Sequence, residues 1–170
     1  MNFQIIKRTL GWILLFEAMF FIVPIITAIV YGEKEIVSFL VAMSICIAVG
    51  LIFLLGKPKN EYIYAKEGFV IVALSWILIS IFGALPFWLS GTITSFVDAL
   101  FETVSGFTTT GATIIPSGIE ELPKSMLMWR SFTHWVGGMG VLVLIMVFLP
   151  LSGARNMHIM RAESPGPTVD

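Results

Sequence analysis

The chain has 170 residues, of which 57% are hydrophobic and 12% are charged, and its mean hydropathy is +0.94. A water-soluble domain typically carries about 25% charged residues, so half that share indicates that much of the surface meets lipid. A net charge of -1 provides no basic field for nucleic acid, and one cysteine, Cys46, excludes a disulfide framework or a zinc cluster within a single chain.

Four apolar stretches predict membrane-spanning helices, since a hydrocarbon core of about 30 Å needs about 20 helical residues. They run from Leu10 to Val30, Ile36 to Leu55, Phe69 to Leu89 and Met126 to Leu149. The first is too long for a signal peptide and lacks a small-residue cleavage site, so we expect it to be retained. Pro24 and Pro86 are expected to mark kinks or helix ends. Five tryptophans lie mostly near span ends, where rings sit at the headgroup level: Trp12, Trp76, Trp88, Trp129 and Trp135.

Basic residues are distributed unequally between the two sides of the membrane, and Lys and Arg stay in the cytoplasm far more often than they are exported. With the amino terminus inside, seven basic residues are cytoplasmic: Lys7, Arg8, Lys57, Lys59, Lys66, Arg155 and Arg161. Three are outside: Lys34, Lys124 and Arg130. This asymmetry predicts that both termini are cytoplasmic.

The segment between the third and fourth spans is longer than a simple turn. Ser95 and Asp98 have the spacing of a capping box, and apolar residues recur at helical intervals after them. The thirteen residues from Ser95 to Phe107 make about 20 Å of helix, too short to cross a bilayer. Residues 108–113 follow with threonines that favour extended backbone and with Gly111, which permits conformations that other residues avoid.

A short helix followed by an extended polar strand predicts a re-entrant pore loop. Non-helical backbone at membrane depth is tolerated where it is buried in protein or lines a water-filled cavity. Its carbonyls can replace the water shell of a monovalent cation, and the carboxyl-terminal end of the short helix carries about half a negative charge. The alternative is an extracellular loop, with an amphipathic helix on the membrane surface and a Thr/Gly turn.

Several other residues have both a functional and a structural interpretation. Glu17 is the only ionisable residue deep inside a span, but near the cytoplasmic end of that span it would snorkel or pair with a neighbouring helix. Glu102 and Asp98 either add negative potential near a cation path or, as we favour for Glu102, anchor the short helix. His134 has no second ligand nearby and is expected to pack or hydrogen-bond, so no metal site is proposed. Three glycines in an apolar helix predict close packing rather than nucleotide binding: Gly137, Gly138 and Gly140.

Three stretches together resemble the TrkH-type membrane subunits of bacterial potassium uptake systems, in the Trk/Ktr/HKT superfamily. The run from Ala99 to Thr113, ALFETVSGFTTTGAT, is similar to the first pore loop of that family. Residues 129–140, WRSFTHWVGGMG, resemble the start of the following span, and residues 161–167, RAESPGP, the cytoplasmic segment after it. The resemblance covers the whole chain in order.

This resemblance implies an all-α membrane protein, with four transmembrane helices and a re-entrant pore helix and filter loop between the third and fourth. Residues 1–66 would be an amino-terminal two-helix hairpin, residues 67–152 one helix, pore loop and helix repeat, and residues 153–170 a cytoplasmic tail leading to further repeats. Four residues would form the filter with their backbone carbonyls: Thr109, Thr110, Gly111 and Ala112. The potassium ion would bind at Thr110 and Gly111. Three residues would support the loop: Glu102, Thr108 and Thr113.

The implied function is potassium transport across the inner membrane, without a cofactor. Family members carry four such repeats, so we expect the pore to need further repeats or a homo-oligomer, and this chain alone not to conduct. The resemblance also implies membrane lipid around the chain and a peripheral cytoplasmic regulatory subunit that binds nucleotides. The alternative is a non-transporting membrane protein that binds partner subunits. An intramembrane enzyme is disfavoured, because no histidine or second carboxylate is placed to activate a nucleophile.

Overall fold

The computed structural model describes residues 3–56, 65–115 and 118–148, and of residue 65 and residues 141–148 the backbone alone. Within these ranges every regular element is a helix: α1 Phe3–Phe20, α2 Ile22–Tyr31, α3 Ile36–Leu54, α4 Ala65–Leu89, α5 Phe96–Phe107, a 3-10 turn at Ile119–Glu121, and α6 Lys124–Phe148. The predicted all-α class is confirmed. The expected tail, residues 153–170, and the stretch 161–167 lie outside the described residues.

Within the part of the chain that the structure describes, three helical segments are long and apolar enough to cross a membrane: Phe3–Tyr31, Ile36–Leu54 and Lys66–Leu89. They correspond to the first three predicted spans. The helices extend beyond the predicted apolar runs, which start at Leu10 and Phe69, since α1 begins at Phe3 and α4 at Ala65. An apolar run marks the part of a helix that suits hydrocarbon, and the helix itself continues through the charged residues beside it. The fourth predicted span falls on α6, whose described side chains end at Gly140.

α1 and α2 form one segment that is interrupted near Pro24. Proline has no N–H, and its ring clashes with the carbonyl four residues earlier, here that of Phe20, the last residue of α1. The helical path continues across the break, because Phe21 N donates to the Glu17 carbonyl at 3.4 Å. The predicted kink or end marker at Pro24 is confirmed, and Pro86 lies in the last turn of α4.

Trp129 of α6 lies at the centre of the core and is fully buried. Its ring centroid is 4.7 Å from that of Phe21, 6.4 Å from that of Phe39 and 6.4 Å from that of Phe107. Its indole Nε1 donates to the Gly83 carbonyl at 2.9 Å, the kind of partner that a buried tryptophan needs. The ring of Trp129 therefore packs inside the protein, where the amino-terminal helices meet α4 and α5, and its depth in the membrane stays a prediction.

Glu33 fastens the turn between α2 and α3 to the start of α6. Its carboxylate accepts hydrogen bonds from Lys124 N at 2.5 Å, Ser125 N at 2.9 Å and Ser125 Oγ at 2.5 Å. The first N–H groups of a helix have no partner within it, so Glu33 caps α6 from a distant part of the chain. Partial burial alone would raise the pKa of the Glu33 carboxyl, but the hydrogen bonds from Ser125 and Lys124 and the Lys124 charge lower it below its ordinary value.

Candidate functional site

α5 is the short helix expected between the third and fourth spans. It has 12 residues, about 18 Å of helix, and packs against α4 and α6. Asp98 N donates to Ser95 Oγ at 3.4 Å, so the predicted amino-terminal cap is confirmed. Its buried residues are Ala99, Glu102, Thr103, Ser105, Gly106 and Phe107.

The loop after α5 directs its backbone donors back toward the helix. Thr108, Thr109 and Thr110 each donate an N–H to a carbonyl near the end of α5, at 2.9, 2.9 and 3.0 Å. In the described part of the chain no hydrogen bond reaches the carbonyls of Thr109, Thr110 or Gly111. The loop is therefore polarised, with its donors satisfied by α5 and three consecutive carbonyls free to accept.

Ala112 differs from the other three filter candidates. Its carbonyl accepts a hydrogen bond from Ser105 Oγ at 2.5 Å. A carbonyl oxygen has two lone pairs, so this bond leaves room for a second partner. Ala112 thus ties the loop to α5 as well as offering an oxygen.

The backbone of the loop includes two residues with positive φ. Thr109 has a φ of 56° and Gly111 a φ of 76°. The unusual conformation predicted for Gly111 is confirmed. The extended backbone predicted for the threonines is wrong at Thr108, which is right-handed helical, and at Thr109. These residues turn because their N–H groups reach back to the last carbonyls of α5. Positive φ in a β-branched residue is a genuine outlier, and such strain concentrates at functional sites.

Glu102 connects α5 to the loop and to α6. It is 2% exposed, and its carboxylate accepts from Thr113 Oγ1 at 2.9 Å, Ile114 N at 3.0 Å and Arg130 Nε at 2.5 Å. We call these four residues the Glu102 anchor. Because Arg130 balances the charge of Glu102, the contacts support the interpretation of this carboxylate as an anchor rather than as a source of negative potential. Arg130 had been expected only as an exported basic residue, and no local sequence signal links it to Glu102.

α5 and α6 approach each other closely at two glycines. A β-carbon at Gly137 would overlap the carbonyl of Phe107, and one at Gly106 would overlap the hydroxyl of Thr133. The close packing predicted for the glycine cluster is confirmed at Gly137. Gly140 has another role, because its φ of 72° and ψ of 133° interrupt the helix there.

The remaining ionisable candidates have different surroundings. His134 Nδ1 lies 2.9 Å from the Arg130 carbonyl, so the hydrogen-bonding role predicted for this histidine is confirmed. Among the residues that the structure describes, no three His, Cys, Asp or Glu side chains converge as metal ligands. Glu17 lies midway between Phe3 and Tyr31 and is 2% exposed. Glu17 lies 14 residues after the start of α1 at Phe3. Because its side chain is buried in protein, the snorkelling alternative is wrong.

Comparisons with known proteins agree on one family. Residues 33–170 match the family model described as "TrkH: Cation transport protein". Over 100% of its length the chain is 37% identical to the Trk system potassium uptake protein TrkH of Halomonas elongata, of which it covers 36%. Over 98% of its length it is 34% identical to the Trk system potassium uptake protein TrkG of Escherichia coli K12, of which it covers 35%.

A solved structure is similar in fold as well. The crystal structure of the potassium transporter TrkH from Vibrio parahaemolyticus matches with a TM-score of 0.77 at 35% identity. The match covers 88% of this chain and 32% of that one. The chain therefore spans about a third of the length of the proteins that it matches.

Proposed function

Because the chain belongs to the TrkH family of cation transport proteins, we propose that it is the amino-terminal part of a potassium uptake protein and supplies one pore loop. The family consists of membrane transporters rather than enzymes. Potassium is the transported ion, and no cofactor takes part.

The carbonyls of Thr109, Thr110 and Gly111 face a partly dehydrated potassium ion, which binds at Thr110 and Gly111. The observation that carries this assignment is the polarity of the loop, whose N–H groups are bonded to α5 while these three carbonyls are free within the described residues. Carbonyl oxygens replace the hydration shell of a cation, and the carboxyl-terminal end of a helix favours positive charge. Ala112 supplies a further oxygen while Ser105 holds it in place.

α5 enters the membrane from the outer side, and the loop returns toward that side between α4 and α6. The length of α5 supports this arrangement, because 12 residues are too few to span. The Glu102 anchor supports it as well, since it satisfies polar groups that would otherwise be costly at membrane depth. α6 is then the fourth span, Thr108 and Thr113 brace the two ends of the loop, and both termini are on the cytoplasmic side of the inner membrane.

Further repeats of the same kind complete the ion path. One loop cannot enclose a pore, and the chain corresponds to 36% of the Halomonas relative. On the cytoplasmic face the partner is a peripheral nucleotide-binding regulatory protein, as the family resemblance implies.

The test is potassium uptake by the complete transporter containing Gly111→Ser, in cells that lack other potassium uptake systems. We expect uptake and the preference for potassium over sodium to fall about tenfold, since a β-carbon at positive φ costs about 1–2 kcal/mol and moves the carbonyl. The matched control is Gly91→Ser, because Gly91 has a φ of 74° and, like Gly111, no atom within 4 Å of an added β-carbon. Equal effects of the two variants, or none at Gly111, would reject the filter assignment.

A further inference from the structure

Glu17 lies where α1, α3, α4 and α5 meet. Its Oε1 is 3.3 Å from the place that a β-carbon on Gly83 of α4 would occupy. The same place is 2.9 Å from Thr103 Cγ2 and 3.0 Å from Phe107 Cε2, both on α5. The carboxyl of Glu17 therefore shares with the carboxyl-terminal half of α5 the small space that Gly83 leaves free.

This carboxyl has no hydrogen-bond partner among the described residues, at either oxygen. An ionised carboxylate buried without a partner costs several kcal/mol, whereas the neutral acid costs far less. Glu17 is also flanked on both sides by apolar residues, in a helical segment that is long enough to span the membrane, and its side chain is 2% exposed, so bulk water does not compensate for a charge there.

The ionisable groups on the surrounding helices do not neutralise Glu17. On α3, the buried Cys46 thiol is close enough to interact electrostatically with Glu17, but a thiol carries no positive charge. On α5, Glu102 is paired with Arg130 of α6, and on α6 His134 is bonded to its own helix. The other charged residues of α1 and α4 are Lys7, Arg8, Lys66 and Glu67. Along the helices they lie nine or more residues, about 14 Å or more, from Glu17 on α1 or from Gly83 on α4.

We propose that Glu17 is a proton-binding site and that its carboxyl is protonated when the helices pack as they do here. The bound proton keeps α1 and α4 against the face of α5 that carries Thr103 and Phe107. Loss of the proton leaves a negative charge between these helices. The free-energy cost of burying that charge falls if α5 separates from α1 or if water enters the space. Thr103 and Phe107 then move, and Thr108, the first residue of the loop, is joined directly to Phe107. The proton site stands by itself, whereas its effect on ion flow rests on the proposed function.

The proton is tested directly by infrared spectroscopy of the chain in lipid bilayers, with the glutamate carboxyls labelled with carbon-13. We expect a protonated-carboxyl C=O band at neutral pH that shifts with the label, is absent from Glu17→Gln and persists in the exposed control Glu120→Gln. If Glu17→Gln fails to insert, Glu17→Asp retains the carboxyl and changes the frequency of the band. A wild-type spectrum without this band at neutral pH would overturn the proposal.

Coupling to the loop is tested by potassium flux through the complete transporter in neutral and alkaline buffer on both sides. We expect alkaline buffer to reduce wild-type flux several-fold and to leave Glu17→Gln near its neutral-pH flux. If the C=O band is present but alkaline buffer changes potassium flux equally in the wild type and in Glu17→Gln, the coupling to the loop would be overturned. A band in a transporter that carries no potassium at any pH would instead reject the proposed function and support the proton site.

Discussion

Glu102 shows how one residue can determine the position of several others. We predict that Glu102→Gln destabilises the protein by about 3–5 kcal/mol, because it leaves the positive charge of Arg130 without its partner in a mostly buried site. Thermal unfolding of the detergent-solubilised protein measures the loss. Glu102→Gln combined with Arg130→Gln is the control, and it should recover part of the stability. If the single and the double variant were equally unstable, the ion pair would not be the source of the effect.

At this scale the sequence predicted residues whose role is local. The conformation of Gly111 followed from the freedom of a residue without a β-carbon, and the Ser95 cap followed from its spacing to Asp98. The sequence did not predict the pairing of Glu102 with Arg130 or the burial of Trp129, because each depends on how α6 packs. Two residues 28 positions apart give no periodic signal of their contact.

At the level of elements, the contact between α5 and α6 depends on the missing side chain at Gly137. We predict that Gly137→Ala costs about 1–3 kcal/mol and shifts the loop, because the added carbon meets the backbone carbonyl of Phe107, which cannot rotate away. The neighbouring Gly138→Ala is the matched control, since its nearest neighbour is Thr109 Cγ2 at 4.0 Å. Unfolding temperatures and potassium uptake are measured for both, and equal behaviour would contradict the packing argument.

The tether formed by the hydrogen bonds between Glu33 and the start of α6 predicts that the stability of the protein depends on pH in the acid range. The pKa of Glu33 is lowered from 4.5 in the folded protein, so its contribution to stability is complete above about pH 4.5 and is lost as pH falls through the lower folded value. The unfolding temperature of the wild type should therefore fall more steeply in acid than that of Glu33→Gln. Parallel curves for the two proteins would show that the tether does not contribute.

The bounds of the elements were predictable where the chain marks them chemically. α3 and α5 begin and end within about a residue of their predicted limits, because turn residues or a cap stand beside an apolar run. The starts of α1 and α4 lie outside the predicted apolar runs, because helix continues through the charged residues before each run. The interruption of α6 at Gly140 was missed, since a glycine among small residues is equally compatible with close packing.

For the whole molecule, membrane orientation is the property that the sequence addresses most directly. We predict that single cysteines at Lys66 and Glu120, in a chain with Cys46→Ala, react with an impermeant thiol reagent from opposite sides, with Glu120 reached from outside. The physical reason is the excess of basic residues on the predicted cytoplasmic side. Labelling of both from one side would contradict the four-span topology and the re-entrant loop together.

The link between Glu33 and Ser125 also has a consequence for biosynthesis. Glu33 leaves the ribosome 92 residues before Ser125, so the carboxylate that caps α6 is already synthesised when α6 emerges. Domains fold during synthesis with the amino-terminal part first, and α6 therefore starts against a prepared partner instead of waiting for one. The helices of residues 3–56 thus act as an internal guide for insertion of the last described helix. Supplied later, on a separate polypeptide, they would have to find α6 after that helix had entered the bilayer without its cap.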